Sequence, residues 1–422
     1  FMKKILLISF IYINAFCQTS NIFEPIDVFD LEYVSNTQIS PNGEKVLYQR
    51  NFNDIMTDES FSNIWLIDYD GTNNRPITTG NYKDNSPKWS NQGNKFVFKS
   101  NREGKSQIFL FDLNNNSIQK LTNFQYPIES IQWSPNDEYI LFSSFIDVKK
   151  DALIEMPEKP KGAKWNEPPV EISDLNYRYD SSGYRKPGGV QFFVITISGG
   201  TPRQISNIEP KKNSGQGVWL GNDNIIFSAN LNNDSDYNTN NSEIYTLSIK
   251  SGEHKALTSR IGPDYSPKVS NDNSLIAYLG YDDEYLGYQQ SSIYIMEPDG
   301  SNKYKIQLDI DRSISNIYWS GDDKKIFFQF DDMGITKIAS TSLDGKFKTV
   351  VDEVGGLSFS RPYSGGSFSL SKNDRYSFTY GTTHNPADLA VGYKGSKNRL
   401  TNLNKDLFKY KKLGSVEEIW YD

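Results

Sequence analysis

The side chains that could form a hydrolytic active site are few and widely separated in this sequence. Its 422 residues include two histidines, His254 and His384, and one cysteine, Cys17. A serine or cysteine nucleophile needs a base within hydrogen-bonding reach, and each histidine stands alone near a predicted strand end. The closest match to a nucleophile elbow, Gly365-Gly-Ser-Phe-Ser369, lacks the closing glycine and falls on a predicted strand. We therefore predict no catalytic residues.

The sequence gives equally little support for a metal-binding site or a phosphate-binding site. The segment 230–241 holds Asp234, Asp236 and six asparagines, and oxygen-rich loops can bind calcium. Its spacing matches no defined calcium loop, so we interpret it as a solvated hairpin tip. The paired acids 282–283, 322–323 and 331–332 lie at predicted turns, where solvated carboxylates are expected. The sequence has no zinc-spaced cluster and no glycine-rich phosphate loop, and we predict neither a cofactor nor a metal.

Seven similar segments form the framework of the chain. The clearest, residues 130–144, reads as a strand, a Ser-Pro-Asn-Asp turn and a second strand. Trp89 and Trp133 in successive copies stand 44 residues apart, and Trp319 and Phe368 stand 49 apart. Such periods are the signature of repeat architectures. The copies span residues 38–48, 87–98, 131–142, 217–227, 267–278, 317–328 and 367–378.

A second strand pair follows most copies. Examples are Asn63–Asp68 and Gln107–Asp112, which lead through a tight turn to a short strand that often ends in Leu-Thr or Ile-Thr. Asp-Gly and Asn-rich pairs at these turns supply the positive φ that two-residue hairpins need. Four strands per repeat without a helical crossover are typical of a propeller blade. We predict an all-β fold: a seven-bladed β-propeller of four-stranded antiparallel blades over residues 36–404.

The first seventeen residues differ from the repeats. Lys3-Lys4 precedes a mainly apolar core, residues 5–13, and a small-residue exit at Ala15-Phe-Cys17, which predicts a secretory signal peptide. The apolar stretch is too short to span a bilayer, which takes about 20 residues. We predict a periplasmic or secreted protein; a lipoprotein that retains Cys17 is the less favoured alternative. In the lead-in, residues 18–35, Ile26–Leu31 could form a short helix or an edge strand.

An insertion over residues 148–188 interrupts the third blade. It contains five prolines, which argue against a long regular element. Loops of this length in a compact domain are usually functional or disordered. The insertion is either a surface excursion or a loop that reaches over one face of the ring, with Tyr177, Arg178, Tyr184 and Arg185 available for contacts.

Three stretches beyond the repeat turn suggest a family. Residues 175–184, followed by 191–195, resemble the third-blade segment of acylaminoacyl-peptidase-like proteins. Residues 368–374 with 385–389 resemble their last blade, and 399–404 leading to 413–421 resembles their linker to a hydrolase domain. The turn and the Leu-Thr blade ends also resemble TolB-like propeller repeats. From about residue 21 to 422, the chain resembles the N-terminal propeller of the prolyl oligopeptidase family, which includes dipeptidyl-peptidase-like serine peptidases.

The resemblance implies a catalytic half outside these residues. Family members continue into an α/β-hydrolase domain with a Ser-Asp-His triad, and their propeller caps the active site and admits peptides of limited size. This sequence stops at Asp422, where Glu418–Tyr421 reads like a strand entering that domain. We expect a truncated protein with residues 405–422 as a linker toward a missing hydrolase domain, and no peptidase activity in the chain alone. No substrate-contact residue can be assigned by motif.

The alternative is a free-standing TolB-like periplasmic propeller that binds an envelope protein or a glycan. The repeats support both interpretations equally. A net charge of −7 with scattered lysines and arginines argues against electrostatic binding to nucleic acid. Peptide substrates, reached through the missing domain, and an envelope protein are therefore the partners we consider.

Overall fold

Each repeat folds as an antiparallel meander of four strands, and seven such sheets surround a central channel. The computed structural model describes residues 21–148, 157–166, 172, 174–180, 183–209, 215–356 and 365–421. The predicted seven four-stranded blades are confirmed. The signal-peptide prediction for residues 1–17 lies outside the described residues.

Blades 1 to 3 comprise the first half of the chain. Blade 1 contains β1 (Tyr33–Ile39), β2 (Lys45–Asp54), β3 (Glu59–Asp68) and β4 (Arg75–Pro76). Blade 2 contains β5 (Asn85–Trp89), β6 (Lys95–Ser100), β7 (Gln107–Asp112) and β8 (Ser117–Lys120). Blade 3 contains β9 (Ile128–Trp133), β10 (Tyr139–Asp147), β13 (Gly188–Thr196) and β14 (Arg203–Gln204), and its insertion holds β11 (Arg178–Tyr179) and β12 (Gly183–Tyr184).

Blades 4 to 7 follow without a comparable insertion in the described residues. Blade 4 contains β15 (Val218–Leu220), β16 (Asn224–Ala229), β17 (Glu243–Ser248) and β18 (His254–Ala256). Blade 5 contains β19 (Asp264–Val269), β20 (Ile276–Gly280), β21 (Ser292–Met296) and β22 (Tyr304–Lys305). Blade 6 contains β23 (Ile314–Trp319), β24 (Lys325–Asp332), β25 (Ile335–Ser342) and β26 (Phe347–Val354). Blade 7 contains β27 (Phe368–Leu370), β28 (Tyr376–Thr382), β29 (Asn385–Tyr393) and β30 (Ser396–Arg399).

Two short helices flank the ring. The lead-in forms a 3-10 helix, Pro25–Asp30, which decides between the two predicted conformations, and α1 (Lys405–Phe408) follows blade 7. Among the described residues, no helix is long and apolar enough to cross a membrane.

The middle strands of the blades are apolar along nearly their whole length because a neighbouring blade packs on each side. In β7, Gln107 to Phe111 are all buried. Cores therefore form between blades: Val97 and Ile108 of blade 2 cluster with Trp133 and Phe142 of blade 3. Burial of this kind stabilises at roughly 25 cal/mol per Å² of apolar surface, so the ring depends on contacts between blades.

The meander gives the ring two different faces. The first-to-second and third-to-fourth strand connections are tight turns on one end, which we call the turn face. The second-to-third connections, the connections between blades and both ends of the described chain lie on the opposite end, the loop face. The long insertion between β10 and β13 is therefore on the loop face.

On the turn face, carboxylates join neighbouring blades. Asp137 of blade 3 accepts hydrogen bonds from the Asn91 backbone N–H (2.7 Å), the Asn91 amide (2.8 Å) and the Gln92 N–H (3.0 Å) of blade 2. Asp323 of blade 6 accepts the corresponding three from blade 5. These contacts fix the spacing of successive blades.

The ring closes without an exchanged strand, since every four-stranded sheet is built from strands of its own repeat. The Lys372 N–H of blade 7 donates to the Pro41 carbonyl of blade 1 at 3.0 Å, and side chains add further contacts. Thr37 of blade 1 donates to the Ser377 hydroxyl of blade 7 at 2.6 Å, and the Ile39 N–H donates to the Ser369 hydroxyl at 2.7 Å. Asn404 accepts from the Glu32 N–H and donates to the Glu32 carbonyl, both at 2.8 Å. The first and last blades are thus held together without an exchanged strand.

Candidate functional site

A cleft lies on the loop face, between the described part of the blade 3 insertion and the loop that follows β16 in blade 4. Its volume is about 440 Å³. The insertion contributes one wall, and the end of β16 with the following loop contributes the other. The lining residues are Asn176, Tyr179, Arg185, Gly215, Ser228, Ala229, Asn230, Ser235, Asp236, Thr239 and Ser242.

A small hairpin of the insertion positions the arginine of the cleft. β11 pairs with β12, and the Arg185 N–H donates to the Tyr177 carbonyl at 2.8 Å. The Tyr177 and Tyr184 rings stack at 6.3 Å. The Arg185 guanidinium lies 5.3 Å from the centre of the Tyr179 ring and donates to the Asn176 carbonyl at 3.0 Å. The hairpin therefore holds Arg185 against the cleft.

Of the four residues that the sequence analysis offered for contacts, Arg185 alone lines the cleft. Tyr177, Arg178 and Tyr184 are exposed on the same hairpin. The Asn176 amide donates to the Asp236 carbonyl at 3.4 Å, which joins the insertion to blade 4. Residues 149–156, 167–171, 173 and 181–182 of the insertion lie outside the described residues.

The opposite wall is a loop folded by its own asparagines. Asn230 donates to the Asn238 carbonyl at 2.8 Å, and Asn238 donates to the Asp234 carboxylate at 2.5 Å. Asp236 lines the cleft, while Tyr237 is 81% exposed. In the part of the chain that the structure describes, no group of three or more His, Cys, Asp or Glu side chains could hold a metal.

The cleft can bind a polar ligand through three kinds of group. The amide of Asn230 is 8% exposed, and its Oδ1 has no hydrogen-bond partner among the described residues. That oxygen has almost no accessible surface, so a ligand in the cleft does not reach it directly. Arg185 adds a cation and Asp236 a carboxylate. Hydroxyls of Ser228, Ser235, Thr239 and Ser242 complete the polar lining.

The residues first considered for catalysis are not brought together. His254, in the outer strand of blade 4, packs edge-on against Tyr245 at 5.9 Å. His384, in a loop-face turn of blade 7, lies 3.0 Å from the Thr383 hydroxyl and 3.2 Å from the Gly414 carbonyl. Ser369 serves ring closure. The three side chains therefore take part in packing or in structural hydrogen bonds, each in a different place.

The sequence predicts that the paired acids are solvated, but several of them also contact a basic side chain or a neighbouring blade. Asp323 joins blade 5 to blade 6. Asp332 forms ion pairs with Arg312 at 3.0 Å and Lys337 at 2.8 Å. Asp282 lies 3.3 Å from the Arg260 guanidinium. The sequence shows these acids at turns but does not show which blade they contact.

A recurrent polar contact behind the cleft was not predicted. In blades 2, 3 and 4, a Gln or Glu in the third strand accepts a hydrogen bond from a Thr or Ser fifteen positions later. This Gln or Glu is the first residue of the strand in blades 2 and 4 and the fourth residue of the longer β13 in blade 3. The pairs are Gln107–Thr122 (2.8 Å), Gln191–Ser206 (2.8 Å) and Glu243–Thr258 (2.6 Å). The Leu-Thr and Ile-Ser blade ends were the signal that could have identified it.

Glu243 differs from its two glutamine counterparts in carrying an acid. It is 4% exposed, and burial raises its pKa to about 7, an effect that the Thr258 hydrogen bond opposes. Burial also raises the pKa of the nearby Asp264, which the Arg260 guanidinium opposes. A weakly ionised carboxyl thus lies next to Ser242 of the cleft.

Comparison with known proteins begins with the repeat. Residues 34–157 match a family model described as the TolB beta propeller domain. The uncharacterized peptidase YuxL of Bacillus subtilis is 26% identical over 215 residues, 50% of this chain and 31% of that protein. Dipeptidyl-peptidase 5 of Porphyromonas gingivalis is 23% identical over 313 residues, 71% of this chain and 44% of that protein. The chain spans less than half the length of these relatives.

Two solved structures share the fold. An acylaminoacyl peptidase in complex with Z-Gly-Gly-Phe-chloromethyl ketone gives a TM-score of 0.71 at 19% identity, over 91% of this chain and 55% of that one. The β-propeller domain of the trilobed protease from Pyrococcus furiosus, whose topology is described as open velcro, gives 0.61 at 16% identity, over 89% and 99%. The predicted resemblance is therefore confirmed: the chain carries a TolB-like propeller repeat, has relatives named as peptidases and shares its fold with acylaminoacyl peptidase propellers.

Proposed function

We propose that this chain is the non-catalytic, substrate-gating propeller of an exported serine peptidase of the prolyl oligopeptidase family. A hydrolase domain following residue 422 would carry out peptide hydrolysis. The observation that carries the proposal is the pattern of coverage. The chain aligns over half or more of its own length with two proteins named as peptidases but covers 31% and 44% of theirs.

The geometry of the loop face supports this role. The two ends of the described chain meet there, where Ile22 forms a parallel bridge with Lys412 and the Phe23 N–H donates to the Lys412 carbonyl at 3.1 Å. A domain joined to the chain after residue 421 would begin on the face that holds the cleft and the channel mouth. Ile419 and Trp420 on that segment are 79% and 75% exposed and could pack against it.

The cleft supports a gating role rather than a catalytic one. Arg185 and Asp236 line the cleft and can contact the charged and amide groups of a peptide. Because the insertion forms one wall, its position would restrict which peptides pass across the loop face. Export follows in this proposal from the signal-peptide pattern of residues 1–17.

A stand-alone binding propeller is the second candidate function. The match of residues 34–157 to the TolB beta propeller domain favours it. In that case the same cleft would bind a protein or a glycan of the cell envelope, and no hydrolase domain would be required.

A comparison of hydrolysis by residues 18–422 and by the product of the complete reading frame tests the proposal. We expect no hydrolysis of dipeptidyl or longer peptide amides by residues 18–422, because loss of a triad costs on the order of 10⁶ in kcat. We expect hydrolysis by the complete product, inhibited by a serine-directed fluorophosphonate. Hydrolysis by residues 18–422, or none by the complete product, would contradict the proposal.

A further inference from the structure

Blades 2 and 5 present the same short sequence to the central channel. The inner strands read Ser86-Pro-Lys88 and Ser266-Pro-Lys268. In both, the serine has positive φ, +54° and +51°, and the register with the second strand shifts between the residue before it and the lysine. These are β-bulges, which re-aim side chains. The two lysines thus occupy equivalent positions on well-separated blades.

Both lysines line cavities within the channel. Lys88 lines a cavity of about 200 Å³ formed by blades 1 to 4, and Lys268 lines one of about 380 Å³ formed by blades 4 to 6. Gln216 of blade 4 borders both cavities. The backbone of each lysine is fixed, because its carbonyl accepts the indole N–H of Trp133 (2.9 Å) or Trp319 (3.0 Å) in the next blade.

The two ammonium groups lack a counter-charge. Neither lysine forms an ion pair with any described residue. Burial lowers the pKa of Lys88 to about 8, with repulsion from Lys268 and Lys99 adding to the effect, and burial also lowers the pKa of Lys268. The Lys268 ammonium lies 5.4 Å from the centre of the Tyr318 ring. A charge without a counter-charge is energetically costly when it is removed from water. An anion bound between the two ammonium groups would therefore stabilise them.

The neighbouring charges do not neutralise the pair. Glu129 borders the Lys88 cavity, and burial raises its pKa, which Lys99 opposes. Lys99 donates to the Glu129 carbonyl at 2.5 Å. That contact is to the backbone, and the Glu129 carboxyl forms no ion pair with a described residue, although Lys99 and Glu129 attract each other electrostatically. Only repulsion from neighbouring lysines acts with burial on the pKa of Lys88, and Gln38 and Gln216 place uncharged amides beside it.

We propose that the central channel binds an oxyanion, a carboxylate or a phosphate group, between Lys88 and Lys268. Charge-assisted hydrogen bonds from two ammonium groups are the strong contacts that such anions make. The protein as a whole is acidic, with a net charge of −7, so the channel focuses positive charge in a way that the surface does not. The site is independent of the hydrolase domain in the proposed function.

Calorimetric titration of residues 18–422 with inorganic phosphate, and separately with succinate, tests this site. At pH 8, near the pKa of Lys88, binding should take up protons, seen as a dependence of the measured heat on buffer ionisation enthalpy. Lys88→Met and Lys268→Met should each weaken binding about tenfold, the loss of roughly 1.4 kcal/mol, and Lys88→Met should remove most of the proton uptake. The two titrants show whether phosphate or carboxylate is preferred.

Lys250→Met, which alters an exposed lysine of a turn, is the matched control and should bind as the parent does. Lys88→Arg keeps the charge and should retain binding, so a folding defect in Lys88→Met can be recognised. Absence of binding for both anions at millimolar concentration, or equal binding by the parent and both methionine variants, would overturn the proposal.

Discussion

Burial decides the charge state of Glu243. Its pKa rises to about 7 from an ordinary 4.5, so the folded protein favours the protonated carboxyl. The stabilising contribution of that proton is complete below about pH 4.5 and is lost as the pH rises through about 7. Gln107 and Gln191 hold the equivalent position in blades 2 and 3 with the same Thr or Ser partner, which shows that an uncharged amide fits.

Glu243→Gln should therefore raise the free energy of unfolding above pH 7, by on the order of 2 kcal/mol, and leave it nearly unchanged at pH 5. The measurement is urea unfolding followed by circular dichroism at several pH values. Glu253→Gln, which changes an exposed acid of the same blade, is the control. Parallel pH profiles for the parent and Glu243→Gln would contradict this assignment.

The sequence predicts the role of a residue well only where that role depends on residues close to it in the chain. His254 and His384 stand alone in the sequence, and they lie in blades 4 and 7. The partners of Glu243, Asp323 and Lys88 lie across strands or across blades. Such distances depend on the ring, so no spacing in the sequence shows them.

Among the elements, the Ser-Pro-Asn-Asp turn both ends a strand and joins two blades. Asp137 in this turn and Asp323 in the equivalent Ser-Gly-Asp-Asp turn of blade 6 have positive φ, +59° and +55°, and each accepts three hydrogen bonds from the preceding blade. Where blade 5 has Asn273 instead, one such bond, from the Gly221 N–H at 2.9 Å, is present. Asp374 of blade 7 also accepts one such bond, from the Gly321 N–H at 2.9 Å, so the three-bond contact requires both the carboxylate and an asparagine, Asn91 or Asn271, in the preceding blade.

Asp323→Asn should lower the free energy of unfolding by about 1–2 kcal/mol, because the new amide N–H₂ cannot accept from the backbone of blade 5. Asparagine tolerates the positive φ, so backbone strain does not confuse the result. Asp322→Asn is the matched control, since Asn136 already makes the same contact with Ser134 that Asp322 makes with Ser320. Equal urea midpoints for the two variants would show that the inter-blade contact is unimportant.

The sequence predicts the strands and turns of the blades more completely than the β-bulges within the strands. Turn residues and the repeat period are local signals, and they identified seven blades. The bulges at Ser86 and Ser266 are register shifts between two strands, which the pattern of one strand does not show, and the lead-in pattern fits a helix or a strand equally. The contribution of the insertion was left open because its partner, the asparagine-rich loop, belongs to another blade.

At the scale of the whole molecule, the insertion is separable from the ring. β10 and β13 pair through to Asp147 and Gly188, and the Val148 N–H donates to the Pro187 carbonyl at 3.0 Å. Residues 148–187 can therefore be replaced by a two-residue Asn-Gly turn, which suits antiparallel strands. Residues 55–58 between β2 and β3, where Asp54 pairs with Glu59, allow the same replacement in blade 1 as a control.

The most direct test of a gating propeller compares kcat/KM for a short substrate, a dipeptidyl amide, with kcat/KM for a peptide of about 20 residues. Both values are measured for the complete gene product and for a variant that lacks residues 148–187. We expect removal of the insertion to raise the ratio of long-peptide to short-peptide hydrolysis by about tenfold, a change in barrier of roughly 1.4 kcal/mol. The blade 1 replacement should leave the ratio unchanged. An unchanged ratio after removal of the insertion, with the propeller still folded by circular dichroism, would contradict it.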